Sequence, residues 1–310
     1  MKINLANIKK AKKILNKSEC VAIPTETVYG LAGNAYSDKA CKKIFKLKKR
    51  PKNNPLIIHY YNRKNLEKDC VLNNDFIILY KRFCPGPITF VLDLKRSSRI
   101  SKFATNSKKT LAIRFPKHPV TRNLLKKLNY PLAAPSANLS SKVSAVSSND
   151  VRDDFGKKIK YILNGGKSSI GLESTIVDLR NNPKILRLGG LETSLIQKVL
   201  NKKISINNNP LTISSPGQFK LHYSPGIPIR LNIKKIKKNE ACLLINKEKE
   251  TRTNFYFLSK NGNLKEAARN LYSMLRKIKK NKYKSIAVKK IPNRGLGKTI
   301  NDRLKRASKF

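Results

Sequence analysis

Two short segments near the start of the chain carry side chains that could bind an anionic ligand. Residues 24–27 (P-T-E-T) follow a short apolar run, and residues 48–50 (K-K-R) precede a second apolar run that ends at His59. Loops at strand ends concentrate binding groups, because the sheet fixes their positions. Hydroxyls from one turn and cations from another suit a polyphosphate-type ligand. The spacing alone is equally compatible with two ordinary turns, one rich in threonine and one solvated.

Two glycine-lysine sequences do not meet the requirements of a phosphate-binding loop. Residues 165–168 (G-G-K-S) have Tyr161 where the Walker motif needs glycine, and residues 297–299 (G-K-T) have Pro292 at that place. Residues 295–297 (G-L-G) lack the third glycine of a dinucleotide-binding fingerprint. The sequence therefore predicts neither a Walker loop nor a dinucleotide site.

The histidines and carboxylates form no evident metal-binding or catalytic group. The three histidines have no acidic or cysteine partner at metal-ligand spacing, so no zinc site is expected. They are His59, His118 and His222. The chain has no G-x-S-x-G sequence, and its few carboxylates offer no obvious acid–base pair. We expect that an enzyme with these residues works chiefly by positioning its substrates and stabilising charge.

Composition and charge narrow the class of protein. Lys and Arg number 68 against 18 Asp and Glu, and a formal net charge of +50 attracts polyanions such as RNA and nucleotides. The excess is mostly lysine spread over the whole length, which is also typical of a proteome-wide bias. The five cysteines form no C-x-x-C pair and indicate reduced thiols, and no apolar run approaches membrane-spanning length. We therefore expect a cytoplasmic protein with no membrane partner.

Hydrophobic periodicity in roughly the first two-thirds of the chain predicts helices and strands without a regular βαβ alternation. Residues 1–17 are basic, as in a transit peptide, but their apolar residues recur at helical spacing and predict the first helix. The other helices are expected at 38–48, 76–83, 120–128, 148–155 and 193–200. Strands are expected at 21–23, 56–58, 89–94, 110–115, 132–134, 161–163, 174–179 and 185–188. This pattern predicts an α+β (α/β mixed) fold, with helices flanking a twisted mixed sheet.

The character of the chain changes near residue 205. Residues 205–230 are rich in turn-forming residues and are interpreted as a linker. Beyond them, strands are expected at 241–245, 255–258 and 285–288, and helices at 264–278 and 300–307. A unit of this order fits a small, open, Rossmann-like α/β domain that needs docking for full stability. The predicted organisation is a larger domain at 1–204, the linker, and a C-terminal domain at 231–310.

Eight short motifs, each weak alone, occur in a specific order over roughly the first two-thirds of the chain. They are residues 24–31 (P-T-E-T-V-Y-G-L), 48–51 (K-x-R-P), 53–56 (N-N-P-L), His59, 85–89 (P-G-P-x-T), 114–116 (R-x-P), 134–138 (A-P-S-A-N) and 173–175 (E-S-T). Together they resemble the YrdC-like family. Residues 214–225 resemble the connector of its two-domain members, and residues 295–304 resemble the end of their second domain. The resemblance covers nearly all of the chain.

The resemblance implies an L-threonylcarbamoyladenylate synthase of the YrdC-like type. Such an enzyme combines L-threonine, bicarbonate and ATP and releases pyrophosphate. Its product supplies a downstream tRNA threonylcarbamoyl-transferase machinery, which modifies the adenosine next to the anticodon in tRNAs that read codons starting with A. Mg²⁺ would be held mainly through the ATP phosphates. Direct contact with RNA is a further expectation.

Two sets of residues match the family's substrate contacts by their place in these motifs. The residues matched to ATP are Lys48, Arg50, Asn54, Thr110, Ser136, Asn138, Ser144, Arg187 and Tyr223. The residues matched to threonine are Thr27, His59, Arg114, Ser174 and Thr175. A guanidinium such as Arg114 can grip a carboxylate through two parallel hydrogen bonds, worth ~1.5–3 kcal/mol. Lys48, Arg50 and Arg187 would offset charge as pyrophosphate leaves, and Tyr223 on the linker would belong to a lid.

Several of these residues also allow purely structural roles. Ser174 and Thr175 could pair across a strand, Arg187 could be a surface cation, and Asn138 could be a turn residue. The chain also departs from the family pattern in two places. Residues 188–190 (L-G-G) replace a Pro-Gly after Arg187 and could alter how that side chain is presented. The connector has Gln218-Phe219 and Leu221 in place of Met-Lys and Arg, so one basic contact of the lid would be missing.

Two other functions compete with the synthase. A non-catalytic RNA-binding module of the YrdC-like type would account for the positive charge, although not for the linker and second domain. A carbamoyl-transfer module of hydrogenase maturation would need zinc-type cysteine pairs and an acylphosphatase segment, which the sequence lacks.

Overall fold

The first sheet of the protein contains ten strands of mixed direction. The computed structural model describes residues 4–207, 222–247 and 252–309. The strands are β1 Val21–Ile23, β2 Gly30–Asn34, β3 Ile57–His59, β4 Ile88–Asp93, β5 Thr110–Arg114, β6 Leu132–Ala133, β7 Tyr161–Ile162, β8 Thr175–Asp178, β9 Lys184–Arg187 and β10 Ser205–Ile206. Across the sheet they lie in the order β10-β9-β8-β4-β5-β3-β6-β2-β1-β7.

The centre of this sheet brings several strand ends to one edge. Strands β3 and β5 are parallel, and their register places His59 beside Arg114. Strand β4 runs antiparallel to β5, so Thr89 at its start lies beside Arg114 on the other side. Strand β8 is parallel to β4 and begins at Thr175 next to Ile88. The ends of β3 and β5 therefore meet the starts of β4 and β8, where loops can converge.

Helices cover both faces of the sheet. They are α1 Leu5–Asn16, α2 Asp38–Lys48, α3 Arg63–Leu66, α4 Asn74–Phe83, α5 Lys102–Thr105, α6 Pro119–Lys126, α7 Ser148–Phe155 and α8 Thr193–Leu200. Successive side chains of a strand point to opposite faces. Val21 and Ile23 accordingly pack with Ile8 and Leu15 of α1, whereas Ala22 enters the apolar cluster on the other face.

The second sheet is entirely parallel and smaller. Its strands are β11 Ile229–Leu231, β12 Glu240–Leu244, β13 Phe255–Phe257 and β14 Ser285–Val288, in the order β11-β14-β12-β13. Two helices pack on it, α9 Leu264–Lys280 and α10 Leu296–Ala307. Their buried side chains share one apolar cluster with residues of the first domain, including Val28, Val143 and Leu172. The two domains are therefore docked through a common core.

The observed architecture confirms the predicted fold class, a mixed sheet flanked by helices with a second, parallel sheet. Strand β2 was not predicted, because Gly30–Asn34 (GLAGN) is mostly buried and shows no polar alternation. The predicted linker begins with β10, which pairs with β9, and ends inside β11. Its central part, 208–221, lies outside the described residues. None of the helices in the described ranges is long and apolar enough to cross a membrane.

Candidate active site

A cavity that opens to solvent lies where these strand ends and loops converge. Its walls come from the turn after β1, the start of β2, the turn after α2, the ends of β3, β5 and β9, the loop after β6, and the strap 222–225 (defined here as residues H-Y-S-P). It is lined by Thr25, Val28, Tyr29, Gly30, Arg50, Ile57, His59, Arg114, Ala134, Pro135, Ser136, Glu173, Ser174, Arg187, His222 and Tyr223. Cationic and hydroxyl-bearing side chains that share one hollow suit a small anionic ligand.

Arg50 brings a buried cation to one wall. Helix α2 ends because Lys49 adopts a left-handed conformation, and the chain then turns so that Arg50 points inward. The guanidinium donates to the Asn54 carbonyl at 2.9 Å, to Asn54 Oδ1 at 2.5 Å and to the Pro55 carbonyl at 2.9 Å. Burial and the neighbouring Arg187 lower the pKa of Arg50 to about 9. No acidic side chain within the described ranges forms an ion pair with Arg50. An anionic ligand would therefore offset the cost of burying this charge.

Arg187 adds a second guanidinium to the same wall. It lies at the end of β9, and its NH2 donates to the Ser174 carbonyl at 2.9 Å and to Ser174 Oγ at 3.2 Å. Ser174 Oγ also shares a hydrogen bond of 2.7 Å with Thr89 Oγ1. Burial lowers the pKa of Arg187. Two guanidiniums in one water-poor wall form a site suited to phosphate oxygens.

The loop after β6 is held against this wall by a lysine. Lys48 Nζ donates to the Ser136 carbonyl at 2.6 Å and also to the Asn138 carbonyl. Burial, and then Arg50, hold the pKa of Lys48 well below its ordinary value. Asn138 Nδ2 donates to the Leu139 and Lys142 carbonyls, and its buried Oδ1 has no protein partner among the described residues. Lys48 thus shapes the loop that presents Ser136 to the cavity.

A second polar group lies around Arg114 in another part of the cavity wall. Its NH2 pairs with Glu26 Oε1 at 2.6 Å, and Glu26 Oε2 accepts from the Lys117 amide at 2.9 Å. Arg114 Nε and both ring nitrogens of His59 are buried without a hydrogen-bond partner in the described chain. Burial and Arg114 hold the pKa of His59 well below its ordinary value, partly offset by the nearby backbone of Ile57. The imidazole is therefore neutral, and buried polar atoms without a partner in the described chain lie in this wall.

Glu173 lies in the cavity wall with every carboxylate oxygen engaged. Its Oε1 accepts from Ser144 Oγ at 2.6 Å, and its Oε2 accepts from Tyr272 OH and Arg303 Nε, each at 2.9 Å. Burial would raise the pKa of Glu173, but Arg303 and Arg187 more than offset it and lower the pKa to about 2. Glu173 is therefore a poor proton acceptor.

Two family profiles match consecutive parts of the chain. The profile described as "Telomere recombination" matches residues 13–189, and the profile described as "Threonylcarbamoyl-AMP synthase, C-terminal domain" matches residues 191–309. A threonylcarbamoyl-AMP synthase from Pyrococcus abyssi is 34% identical over 98% of this chain and 94% of its own length. The chain belongs to the threonylcarbamoyl-AMP synthase family.

Members of the threonylcarbamoyl-AMP synthase family match the chain over both domains. The Bacillus subtilis protein of that name is 34% identical, over 98% of this chain and 94% of its own length. The crystal structure of Pyrococcus abyssi Sua5 complexed with L-threonine has a TM-score of 0.91 at 33% identity, covering 99% of this chain and 96% of that chain. A double-alanine variant of the same protein has a TM-score of 0.86 at 31% identity, over 97% and 92%. The predicted resemblance is confirmed.

Half of the substrate contacts predicted for this synthase family member reach the cavity. Those that line it are Arg50, His59, Arg114, Ser136, Ser174, Arg187 and Tyr223. The residues that lie outside its lining are Thr27, Lys48, Asn54, Thr110, Asn138, Ser144 and Thr175. Thr110 begins β5, four residues before Arg114, which puts it about 13 Å away along the strand. Contact of Thr110 with a nucleotide that extends beyond this lining stays a prediction.

Most of the other outlying residues bond to neighbours that do face the cavity. Ser144 donates to Glu173, Asn54 accepts from Arg50, and Lys48 donates to the Ser136 carbonyl. Thr175 Oγ1 donates to the Leu191 carbonyl at 2.5 Å and accepts from the Leu191 amide at 3.2 Å. Thr27 Oγ1 shares a 2.8 Å hydrogen bond with Thr25 Oγ1 inside the turn after β1. In each case a buried hydroxyl, amide or ammonium bonds to protein groups.

Five polar residues that line the cavity or pair with its lining were assigned no substrate contact from the motifs. Glu26 and Glu173 occur inside the family motifs but were not assigned a role. Their motif positions were the only available signal. Thr25, Tyr29 and His222 also line the cavity.

The departure at residues 188–190 leaves Arg187 facing the cavity. The Leu188 carbonyl accepts from Arg303 NH2 at 2.6 Å. A Cβ on Gly189 would lie 2.3 Å from the Ser174 carbonyl carbon, so this position needs glycine. The Gln218-Phe219 and Leu221 departures lie outside the described residues.

Proposed function

We propose that this chain makes L-threonylcarbamoyladenylate from L-threonine, bicarbonate and ATP, with release of pyrophosphate. The observation that supports it most is a single cavity with two sets of buried cationic side chains, Arg50 and Arg187 in one wall and Arg114 in another. One wall suits a polyphosphate and the other a carboxylate. Family membership over the whole length supports the same assignment.

The Arg114 wall is the proposed threonine site. The threonine carboxylate accepts from the Arg114 guanidinium, whose Nε lacks a partner among the described residues. The neutral imidazole of His59 and the hydroxyl of Ser174 are placed for the remaining polar groups. Glu26 keeps Arg114 oriented by pairing with its NH2.

The Arg50 wall is the proposed triphosphate site. The threonine amine and bicarbonate give a carbamate and water, and a carbamate oxygen then attacks the α-phosphorus. The bond between the α-phosphorus and the oxygen bridging to the β-phosphorus breaks, and pyrophosphate leaves with its electron pair. Arg50 and Arg187 stabilise the charge that develops on the phosphate oxygens. Holding the carbamate in line with the α-phosphorus supplies much of the remaining acceleration.

Mg²⁺ would enter this cavity bound to ATP. No cluster of three or more His, Cys, Asp or Glu side chains suited to a metal occurs in the described part of the chain, and both carboxylate oxygens of Glu173 are engaged. This donor set fits an ion held by phosphate oxygens and water, which is how Mg²⁺ commonly binds with nucleotides. The ion would neutralise phosphate charge.

The reaction makes the chain a nucleotidyltransferase in the tRNA modification pathway. Its product would supply a downstream machinery that transfers threonylcarbamoyl to the adenosine next to the anticodon. The net charge of +50 favours contact with tRNA during this hand-over. ATP as a substrate and cysteines that stay reduced both favour a cytoplasmic location.

Pyrophosphate release tests this function. Purified protein with ATP is expected to release pyrophosphate only when L-threonine and bicarbonate are both present, and the nucleotide product should have the mass of threonylcarbamoyl-AMP. ATP turnover indifferent to threonine contradicts the synthase. Tight RNA binding without any turnover favours the RNA-binding module instead.

A further inference from the structure

One side chain of the second domain reaches the wall of the cavity. Arg303 of α10 is fully buried, and its Nε donates to Glu173 Oε2 at 2.9 Å. Its NH2 donates to the Leu188 carbonyl at 2.6 Å, directly after Arg187. Tyr272 of α9 donates to the same Glu173 oxygen at 2.9 Å. These contacts cross from the second domain into the first.

The Arg303 guanidinium also packs against an aromatic ring that lines the cavity. The Arg303 guanidinium carbon is 4.6 Å from the ring centroid of Tyr223, and this ring stacks on Tyr272 at 5.8 Å. Tyr223 lines the cavity from the strap 222–225. Arg303 therefore contacts three things at once: the carboxylate of Glu173, the backbone that follows Arg187, and the aromatic ring of the strap.

Glu173 links Arg303 to the residues that line the cavity. It is followed by Ser174, which accepts two hydrogen bonds from the Arg187 NH2. The Glu173 carbonyl accepts from the Gly190 amide at 2.8 Å, which fixes the segment after Arg187 against it. A shift of Glu173 would therefore move Ser174 and Arg187 together.

We propose that Arg303 is a positioning residue for the reaction, and that the second domain sets the Arg187 wall and the strap of the cavity through it. The inference rests on the proposed function. The alternative is that Arg303 only holds the two domains together, and a half-buried arginine of α9 provides the comparison. Arg276 of α9 also bridges the domains, donating to Asp154 Oδ2 at 2.7 Å and to the Val143 carbonyl at 2.6 Å, but it does not line the cavity.

The charges around Glu173 provide a measurement that would not change if Arg303 only held the two domains together. The titratable groups that face Glu173 are Arg187 of β9, His222 and Tyr223 of the strap, Tyr272 of α9 and Arg303 of α10. Arg303 is the leading influence that lowers the pKa of Glu173 against the effect of burial. Without Arg303 the carboxyl is expected to protonate at higher pH, release its partners, and displace the cavity wall.

The test compares Arg303→Met with Arg276→Met in the full chain, at a temperature where both are folded by circular dichroism. For Arg303→Met we expect kcat/KM for ATP to fall by about 10²-fold, the cost of a displacement of about 1 Å near the chemistry. The acid limb of its pH profile for ATP binding, a step that needs no bicarbonate, should move up by about 1–3 pH units, as expected when a neighbouring cation is lost. Arg276→Met should lower the melting temperature and leave both quantities near wild type. Glu173→Gln in the Arg303→Met background should remove the shifted limb.

Equal kinetics and equal pH profiles for Arg303→Met and Arg276→Met overturn the proposal. If Arg303→Met does not fold, Tyr272→Phe removes one hydroxyl from the same carboxylate and should move the acid limb in the same direction by a smaller amount. An unmoved limb in that folded variant also overturns it. Failure of the proposed function is separate, since it shows in the wild type as pyrophosphate release that ignores threonine.

Discussion

His59 and Arg114 lie side by side on the parallel strands β3 and β5, and they bring a neutral imidazole and a guanidinium to one wall of the cavity. The arrangement leaves Arg114 Nε and both His59 nitrogens without partners in the described chain. Buried polar groups are normally hydrogen-bonded. A ligand carboxylate at this wall would accept from the guanidinium and from the one N–H that a neutral imidazole carries.

Replacing Arg114 is expected to weaken threonine use far more than ATP binding. Loss of a charge-assisted hydrogen bond corresponds to ~1.5–3 kcal/mol, so the KM for threonine should rise roughly tenfold to a hundredfold in Arg114→Ala. Pyrophosphate release measures this KM, and calorimetry measures the ATP dissociation constant. Because Glu26 would be left buried and unpaired, Arg114→Ala/Glu26→Gln is the control: stability should recover and threonine use should not. An equal loss of ATP affinity would count against the threonine site.

Replacing Arg50 is expected to have the opposite selectivity. Arg50→Met removes a buried cation from the proposed triphosphate wall, and the ATP dissociation constant should rise by about tenfold to a hundredfold. Threonine binding should change much less. Lys52→Met, which removes an exposed charge two residues away, is the matched control and should bind ATP nearly as well as wild type. Calorimetric titration with ATP separates the two variants, and identical affinities would refute a direct role for Arg50.

Replacing Lys48 is expected to destabilise the ligand-free protein. Lys48→Met leaves the Ser136 and Asn138 carbonyls without their ammonium donor, which costs about 1–3 kcal/mol of unfolding free energy. Urea denaturation without nucleotide measures this loss. A variant that is as stable as wild type but binds ATP poorly would instead support the original expectation of a direct phosphate contact.

Glu173 is expected to make stability depend on pH in the acid range. Its pKa is lowered to about 2 in the folded protein, below the ordinary value of 4.5, so the folded state binds fewer protons than the unfolded state between these values. The stabilisation is therefore fully present above about pH 4.5 and is lost as the pH falls toward 2. The difference in unfolding free energy between wild type and Glu173→Gln should shrink over this window. Denaturant titrations above and within it measure the change, and a constant difference would contradict the assignment.

Local patterns predicted much of the fold, because helix caps and apolar periodicity are encoded over a few residues. The helix at 38–48 matches α2, whose Ser37 side chain accepts from the Ala40 amide. Strand β2 was missed, since its burial comes from neighbouring strands and not from its own sequence. Such contacts have no local signature.

Motif order predicted the residues that converge on the cavity, but not which of them face it. Arg50 and Lys48 are both cations of one segment, yet one lines the cavity and the other bonds to carbonyls. Both residues are basic, so residue type alone does not distinguish the two positions. The partnership of Glu173 with Arg303, 130 residues later, depends on how the domains dock and cannot be inferred from spacing.

The apolar cluster shared by the two domains limits whether they can be encoded as separate chains. Val28, Val146 and Leu172 from one side pack with Leu271 and Ile300 from the other. A split at the connector would expose both sets to water, and contiguous apolar surface of this kind promotes self-association. Either half would need polar replacements at these positions before it could persist as a monomer. The two coding regions are therefore expected to remain joined in one gene.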